Sequence, residues 1–362
     1  MNKTKEIHPN KKYANTKLIL SVFSFCFDFI LLIVLYFSGF TSFLASKFSF
    51  LIFVLIFDII LKCFSFPLSF YSGFVLEHKF KLSNQTFLSF MKQKCKSDIL
   101  GMIVFVFFIS IIYLLFYKAL QNWWLFIWLI WNFFNMFVAF LFPNLILPLF
   151  YKLTKINDPK ILTAIEELCK ATGFNKFSSD KIYAINLGKD TVKANAAVIG
   201  FGKTRKIVLS DTLLQNFSVE EIMAVLAHEI GHAKRKHILK VMLSSFVVSF
   251  VFLWISQGLL VNFLQALGVT NLMDLSALPL VLLYFILIFF VLSPLHNFIS
   301  RKMEVEADDF SVTHYPKEHF ISAMERLSTL NLADDEPHPL IEFLLYSHPA
   351  IKRRIDYAKN TE

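Results

Sequence analysis

Six stretches of the chain are each about twenty residues long and almost wholly apolar: 18–40, 50–70, 99–117, 123–147, 241–263 and 278–298. About 20 apolar residues in a helix span the hydrocarbon core of a bilayer. Inside lipid the backbone must satisfy its own hydrogen bonds, so such stretches must be helical. This pattern fixes the class as a mainly α, polytopic membrane protein with about six spans. Composition agrees: 56% of the 362 residues are hydrophobic and 17% are charged, against about 45–50% and 25% in soluble domains. The first apolar block is too long for a signal-peptide core and has no clear small-residue cleavage site. It reads as retained.

The net charge of +9 is not a nucleic-acid signature, because the basic residues sit in loops and those loops alternate. Lys3, Lys5, Lys11, Lys12 and Lys17 precede the first block, whereas only Lys47 separates the first from the second. Lys79, Lys81, Lys92, Lys94 and Lys96 fill the next loop, and Lys118 stands alone in the fourth. The long polar stretch 152–240 follows, 264–277 has no Lys or Arg, and Arg301 and Lys302 come after the sixth block. By the positive-inside rule both termini and the polar stretch are cytoplasmic. Asp58 and Lys62, four apart inside the second block, read either as a polar patch facing a cavity or as a local ion pair. Cys26, Cys63, Cys95 and Cys169 form no CxxC pair and suggest neither a disulfide framework nor a cysteine metal site.

The polar stretch has structure of its own. A helix is expected over 158–172, ended by Gly173, and short strands over 181–186, 196–202 and 206–210, with a turn at Gly202-Lys203-Thr204-Arg205. Ser218 and Glu221 form a capping box for a helix that is free to run on into the fifth span. That helix carries His228-Glu229-Ile230-Gly231-His232. The HExxH spacing places two imidazoles one turn apart on one face, where they can hold a Zn²⁺, with the Glu beside them as general base. A surface helix could carry these residues by chance. The cap, the apolar Ala224, Val225 and Leu226 before His228, and a suitable ligand downstream argue against that.

A catalytic zinc takes three protein ligands. Candidates for the third are Glu304 and Glu306, in Arg301-Lys302-Met303-Glu304-Val305-Glu306-Ala307-Asp308. On a helical extension of the sixth span, Glu304 and Asp308 share a face and Glu306 points nearly the other way. Glu304 as ligand and Asp308 as acceptor for a ligand histidine make one coherent face, leaving Glu306 a solvated charge. His237, five beyond His232, is rotated off the ligand face of a continuous helix.

Several further blocks accompany the motif: Glu77-His78-Lys79-Phe80 with Asn84-Gln85-Thr86 and Phe90-Met91-Lys92; Pro148-Leu149-Phe150; Asn195-Ala196-Ala197 leading to Lys206–Leu214; and Tyr346-Ser347-His348-Pro349 with Arg354. With these, the chain from about residue 75 onward resembles the integral-membrane zinc metalloproteases that include the type I CAAX prenyl protease and a bacterial heat-shock relative, and the earlier blocks favour the prenyl-protease branch. The resemblance implies an α-barrel of membrane helices around a water-filled chamber, with the zinc site at its cytosolic end. It implies Glu304 as third ligand, Asn195 on a strand edge that pairs with substrate backbone, His348 facing the active site to steady an oxyanion, and Arg354 orienting substrate or holding the site together. The type I protease has seven spans where this chain has six. The chain also lacks a long acidic insertion seen in some eukaryotic members, and reads as a compact bacterial member in the cytoplasmic membrane.

The expected organisation is a four-span region over 1–150, a small α+β cytosolic region over 151–240 with the HExxH helix, two spans over 241–300, and a cytosolic region over 301–362 with the third ligand. The expected activity is peptide-bond hydrolysis at the cytosolic membrane face, with one Zn²⁺ per chain, a peptide or protein substrate, the bilayer as setting and no nucleic acid. Rival readings are a quality-control protease for misfolded membrane proteins and, more remotely, a non-catalytic membrane scaffold. Loss of Glu229 or a ligand would favour the scaffold, and all four residues are present.

Overall fold

The computed structural model describes residues 9–118, 122–174, 181–200 and 205–361. Six of its helical segments are long and apolar enough to cross a membrane. The first is α1 (Pro9–Phe37), followed by the short α2 (Phe40–Lys47). Next comes α3 (Phe50–Phe70), which passes through a π-turn at Tyr71–Val75 into α4 (Leu76–Lys79). The helices α5 (Phe87–Lys118) and α6 (Trp123–Leu141) complete the first four, and a second π-turn at Phe142–Ile146 leads from α6 into α7 (Leu147–Phe150). Aromatic and aliphatic side chains, among them Phe53, Phe57, Phe116 and Trp123, form the core between these helices. The intramembrane charges settle into the bundle: Lys62 pairs with Asp58 one turn earlier and donates to the Asp98 carbonyl of α5 at 2.8 Å.

The region outside the membrane opens with β1 (Leu153–Lys155), a strand not anticipated from the sequence because three residues carry no alternation. Then come α8 (Pro159–Ala171), capped by Asp158, β2 (Ile182–Ile185), β3 (Ala196–Ile199) and β4 (Lys206–Ser210). The expected helix and strands are all present, while the turn expected at 202–205 lies largely outside the described residues. The sheet order is β1-β2-β4-β3, with β2 and β4 parallel and the other pairs antiparallel. Among the described residues β3 is therefore an edge strand.

After α9 (Asp211–Asn216) comes α10 (Val219–Lys234), where Ser218 and Glu221 make the expected reciprocal cap. The helix does not run on into the fifth span. It stops at Arg235, Lys236 takes a left-handed conformation (φ 56°), and α11 (His237–Ala266) starts afresh. Three successive cations at the end of α10 complement its C-terminal dipole and mark the stop. By contrast α12 (Leu278–His314) is one unbroken helix that carries the sixth span and Glu304 and Asp308 together. The chain closes with α13 (Lys317–Asn331), α14 (Pro339–Leu345) and α15 (Ile351–Asn360).

Two contacts position the site. Helices α10 and α12 approach closely at Gly231, where a β-carbon would sit 3.0 Å from Phe310 Cβ and 3.2 Å from Ala307 Cα. The buried Ser311 hydroxyl donates to the Ala224 carbonyl at 2.8 Å, pinning the same crossing. Meanwhile Glu77 accepts from Tyr13 (2.6 Å) and Lys193 (2.9 Å) and pairs with Lys17 (2.7 Å). Asn84 and Val192 extend this docking by backbone bonds to Asp190 and Leu82. The Glu77 and Asn84 blocks thus hold the segment that leads into Asn195.

Candidate active site

The imidazoles of His228 and His232 stand one turn apart on α10, and their Nε2 atoms are 3.1 Å from each other. Glu304 of α12 completes the group, with Oε2 3.4 Å from His228 Nε2 and Oε1 3.4 Å from His232 Nε2. One ligand atom from each of the three lies within 4.8 Å of the others. Glu304 Oε2 is buried with no hydrogen-bond partner. An orphaned carboxylate oxygen costs free energy unless something electropositive meets it. Two converging imidazole nitrogens and that oxygen fit a divalent metal of the zinc type.

The outer nitrogens are both occupied, which sets the tautomers. His228 Nδ1 donates to Asp308 Oδ1 at 2.8 Å, and Asp308 in turn receives a two-pronged guanidinium from Arg354, Nε to Oδ2 at 2.8 Å and Nη2 to Oδ1 at 2.6 Å. His232 Nδ1 meets His237 Nδ1 at 2.8 Å, His237 Nε2 meets Glu306 Oε2 at 3.1 Å, and Lys240 reaches Glu306 at 2.8 Å. A carboxylate only accepts, so His237 donates through Nε2 and accepts at Nδ1. His232 then carries its proton on Nδ1, leaving its Nε2 lone pair for a metal.

This second chain corrects two sequence expectations. Glu306 is half-exposed but engaged, not merely solvated. His237 reaches His232 because the break at Lys236 resets the helix phase that rotated it away. The cationic run Lys234-Arg235-Lys236 was the available signal for that break.

The electrostatics follow the geometry. Burial alone would push the His228 imidazole down, but the Asp308 and Glu304 carboxylates outweigh it and raise it to about 9. Burial raises the Glu229 carboxyl above the ordinary carboxylate range, against the pull of His228 and His232. Burial works against the Arg354 cation, and its pairing with Asp308 more than compensates.

A cavity of about 510 Å³ is lined by Asn195, His228, Glu229, Glu304, His348 and Arg354, among others. Asn195 is exposed at the start of edge strand β3, its backbone held by Ser210, with Asn195 N donating to Ser210 Oγ and Ser210 N to the Asn195 carbonyl, both at 2.9 Å. His348 Nε2 lies 3.4 Å from Glu304 Oε1, with Ser347 Oγ 2.9 Å from its Nδ1. Six of the eight site residues expected from the sequence therefore line one cavity, and the other two touch them, His232 beside Glu304 and Asp308 beside His228. Of the two roles expected for Arg354, its contacts favour holding the site together, since its guanidinium is committed to Asp308.

Residues 155–362 match the model of peptidase family M48, and residues 2–152 match that of the CAAX prenyl protease N-terminal region, described as five membrane helices. The chain belongs to peptidase family M48. It is 28% identical to the uncharacterized metalloprotease YhfN of Bacillus subtilis, over 99% of this chain and 87% of that one. It is 32% identical to the CAAX prenyl protease 1 homolog of Dictyostelium discoideum, over 82% of this chain and 72% of the other. The crystal structure of S. mikatae Ste24p superimposes with a TM-score of 0.85 at 25% identity, covering 99% of this chain and 91% of that one. This M48 member is thus a multi-pass membrane metalloprotease of the CAAX prenyl protease type, and its helices share the fold of Ste24p.

Proposed function

We propose that the chain is a zinc endopeptidase with one Zn²⁺ held by His228, His232 and Glu304, cutting peptide bonds at the cytosolic face of a bacterial cytoplasmic membrane. The observation that supports it most is the buried Glu304 carboxylate, its Oε2 without a hydrogen-bond partner 3.4 Å from His228 Nε2 and its Oε1 3.4 Å from His232 Nε2, with Glu229 in the same cavity. The alternation of basic loops supports the cytosolic orientation.

When bound, zinc supplies Lewis-acid polarisation of the scissile carbonyl and acidifies the attacking water. Glu229, its proton affinity raised by burial, takes the proton of that water and passes it to the leaving amine. The free edge of β3 receives the substrate backbone as an added strand, with Asn195 at its start. His348, at the cavity wall beside Glu304, donates to the developing oxyanion. Asp308 and Arg354 fix the His228 ring, and His237 with Glu306 fixes His232.

The test is cleavage of farnesylated and unfarnesylated forms of one CAAX peptide by the purified protein, with Glu229→Gln as control. Zinc- and Glu229-dependent cleavage that prefers the lipid places the enzyme functionally with the prenyl proteases. Cleavage indifferent to the lipid favours a quality-control role, and cleavage surviving Glu229→Gln contradicts the mechanism.

A further inference from the structure

Helix α14 is built inside out for a water-facing segment. Its single charged residue, Glu342, is buried, accepting from the Ala350 N–H at 3.2 Å and lying 3.3 Å from the Arg353 guanidinium. Its outward side chains are apolar, with Leu340 59%, Phe343 50% and Leu345 46% exposed. Ile341 and Leu344 fill the arc between them, so the whole open surface of this helix is hydrocarbon. In water that arrangement wastes apolar area, whereas against lipid it is the expected one.

The position of α14 agrees. Asn297 Nδ2 donates to the Leu344 carbonyl at 2.8 Å, and Arg301 Nη1 donates to the Glu342 and Phe343 carbonyls at 3.0 and 3.3 Å and also to that of Tyr346. Both donors stand on α12 at the end of its membrane stretch, beside the outward-facing Leu295 and Phe298. The carbonyls of Glu342, Phe343 and Leu344 thus need no water, which is the condition for backbone at the edge of hydrocarbon. Arg301 lies 5.8 Å from the Phe343 ring centre and Lys302 lies 4.5 Å from that of Phe298, long cations over aromatics of the kind that mark a membrane–water boundary.

We propose that α14 is an in-plane membrane anchor whose Leu340, Phe343 and Leu345 side chains sit among the lipid chains of the leaflet on the active-site side. Tyr346-Ser347-His348 follows directly, so the anchor carries the segment that brings His348 to the cavity. The occupant of this face is bilayer lipid, because the face adjoins the outward apolar side chains of α12 and its Glu342, Phe343 and Leu344 carbonyls already have donors.

The test is nitroxide accessibility in the full-length chain, reconstituted into nanodiscs of phosphatidylcholine and phosphatidylglycerol. Cys26, Cys63, Cys95 and Cys169 are replaced by Ser, and a single labelled cysteine is placed at Leu340, at Phe343 or, as a control, at Lys352. At 340 and 343 the label should be relaxed by oxygen and shielded from a water-soluble nickel chelate, with the reverse at 352. Access of the nickel chelate at 340 and 343 overturns the proposal, and so does exclusion of both relaxants, which would mean cover by protein. If the cysteine-free background loses its fold, benzoylphenylalanine at 343 in the otherwise native chain decides: a lipid adduct supports the anchor, and a protein–protein adduct or none overturns it.

Discussion

The two histidines of the HExxH motif are held by opposite means. His228 rests on Asp308, a buried carboxylate clamped by the largely buried Arg354. His232 rests on His237, whose own support, Glu306 and Lys240, is open to solvent. One anchor is electrostatic and sealed, so removing either partner strands a charge in the interior. The other is a chain of polar groups that water can replace at its outer end. The lesson is that equal ligand roles do not imply equal structural cost.

The comparison can be broken most directly at Asp308. Asp308→Asn keeps the shape but leaves the largely buried Arg354 with only the more distant Glu304 carboxylate, 3.9 Å away, a loss of up to about 3–5 kcal/mol for a broken buried pair. Thermal unfolding in detergent should fall sharply, and chelator competition should show zinc affinity down at least ~10–100-fold. Gly231→Val attacks the helix crossing that both histidines share. Its added carbons meet Phe310 and Ala307, so a destabilisation of about 1–3 kcal/mol is expected, with Glu304 drawn away from both rings and zinc content reduced. His237→Ala sharpens the contrast, because zinc affinity should drop about 10-fold with little change in unfolding temperature. His237→Gln, which can still accept from His232 and donate to Glu306, should recover part of that affinity. A fall in stability as large as that of Asp308→Asn would erase the distinction. Lys240→Ala is the smallest effect, under about 1 kcal/mol for an exposed pair, and should leave turnover within a factor of two.

Much of this was legible because membranes and metals leave little choice. The apolar blocks had to be helices, Ser218 and Glu221 had to cap, and Glu304 and Asp308 shared a face on any helix that continued past Arg301. His237 was hidden because its contact depends on a backbone reversal at Lys236, which periodicity cannot foresee. Helix α14 was hidden because seven residues, six of them apolar, are too few to read as a span, and the inward turn of Glu342 depends on Ala350 and Arg353 at the start of the next helix. Strand β1 was hidden by its brevity.

The most direct test of the central claim is zinc content measured alongside peptide cleavage for the native chain, Glu229→Gln and Glu304→Gln. One zinc per chain in the native protein and in Glu229→Gln, cleavage in the native protein alone, and little zinc in Glu304→Gln are the predicted results. Full zinc in Glu304→Gln, or loss of zinc in Glu229→Gln, would contradict the assignment of ligand and base.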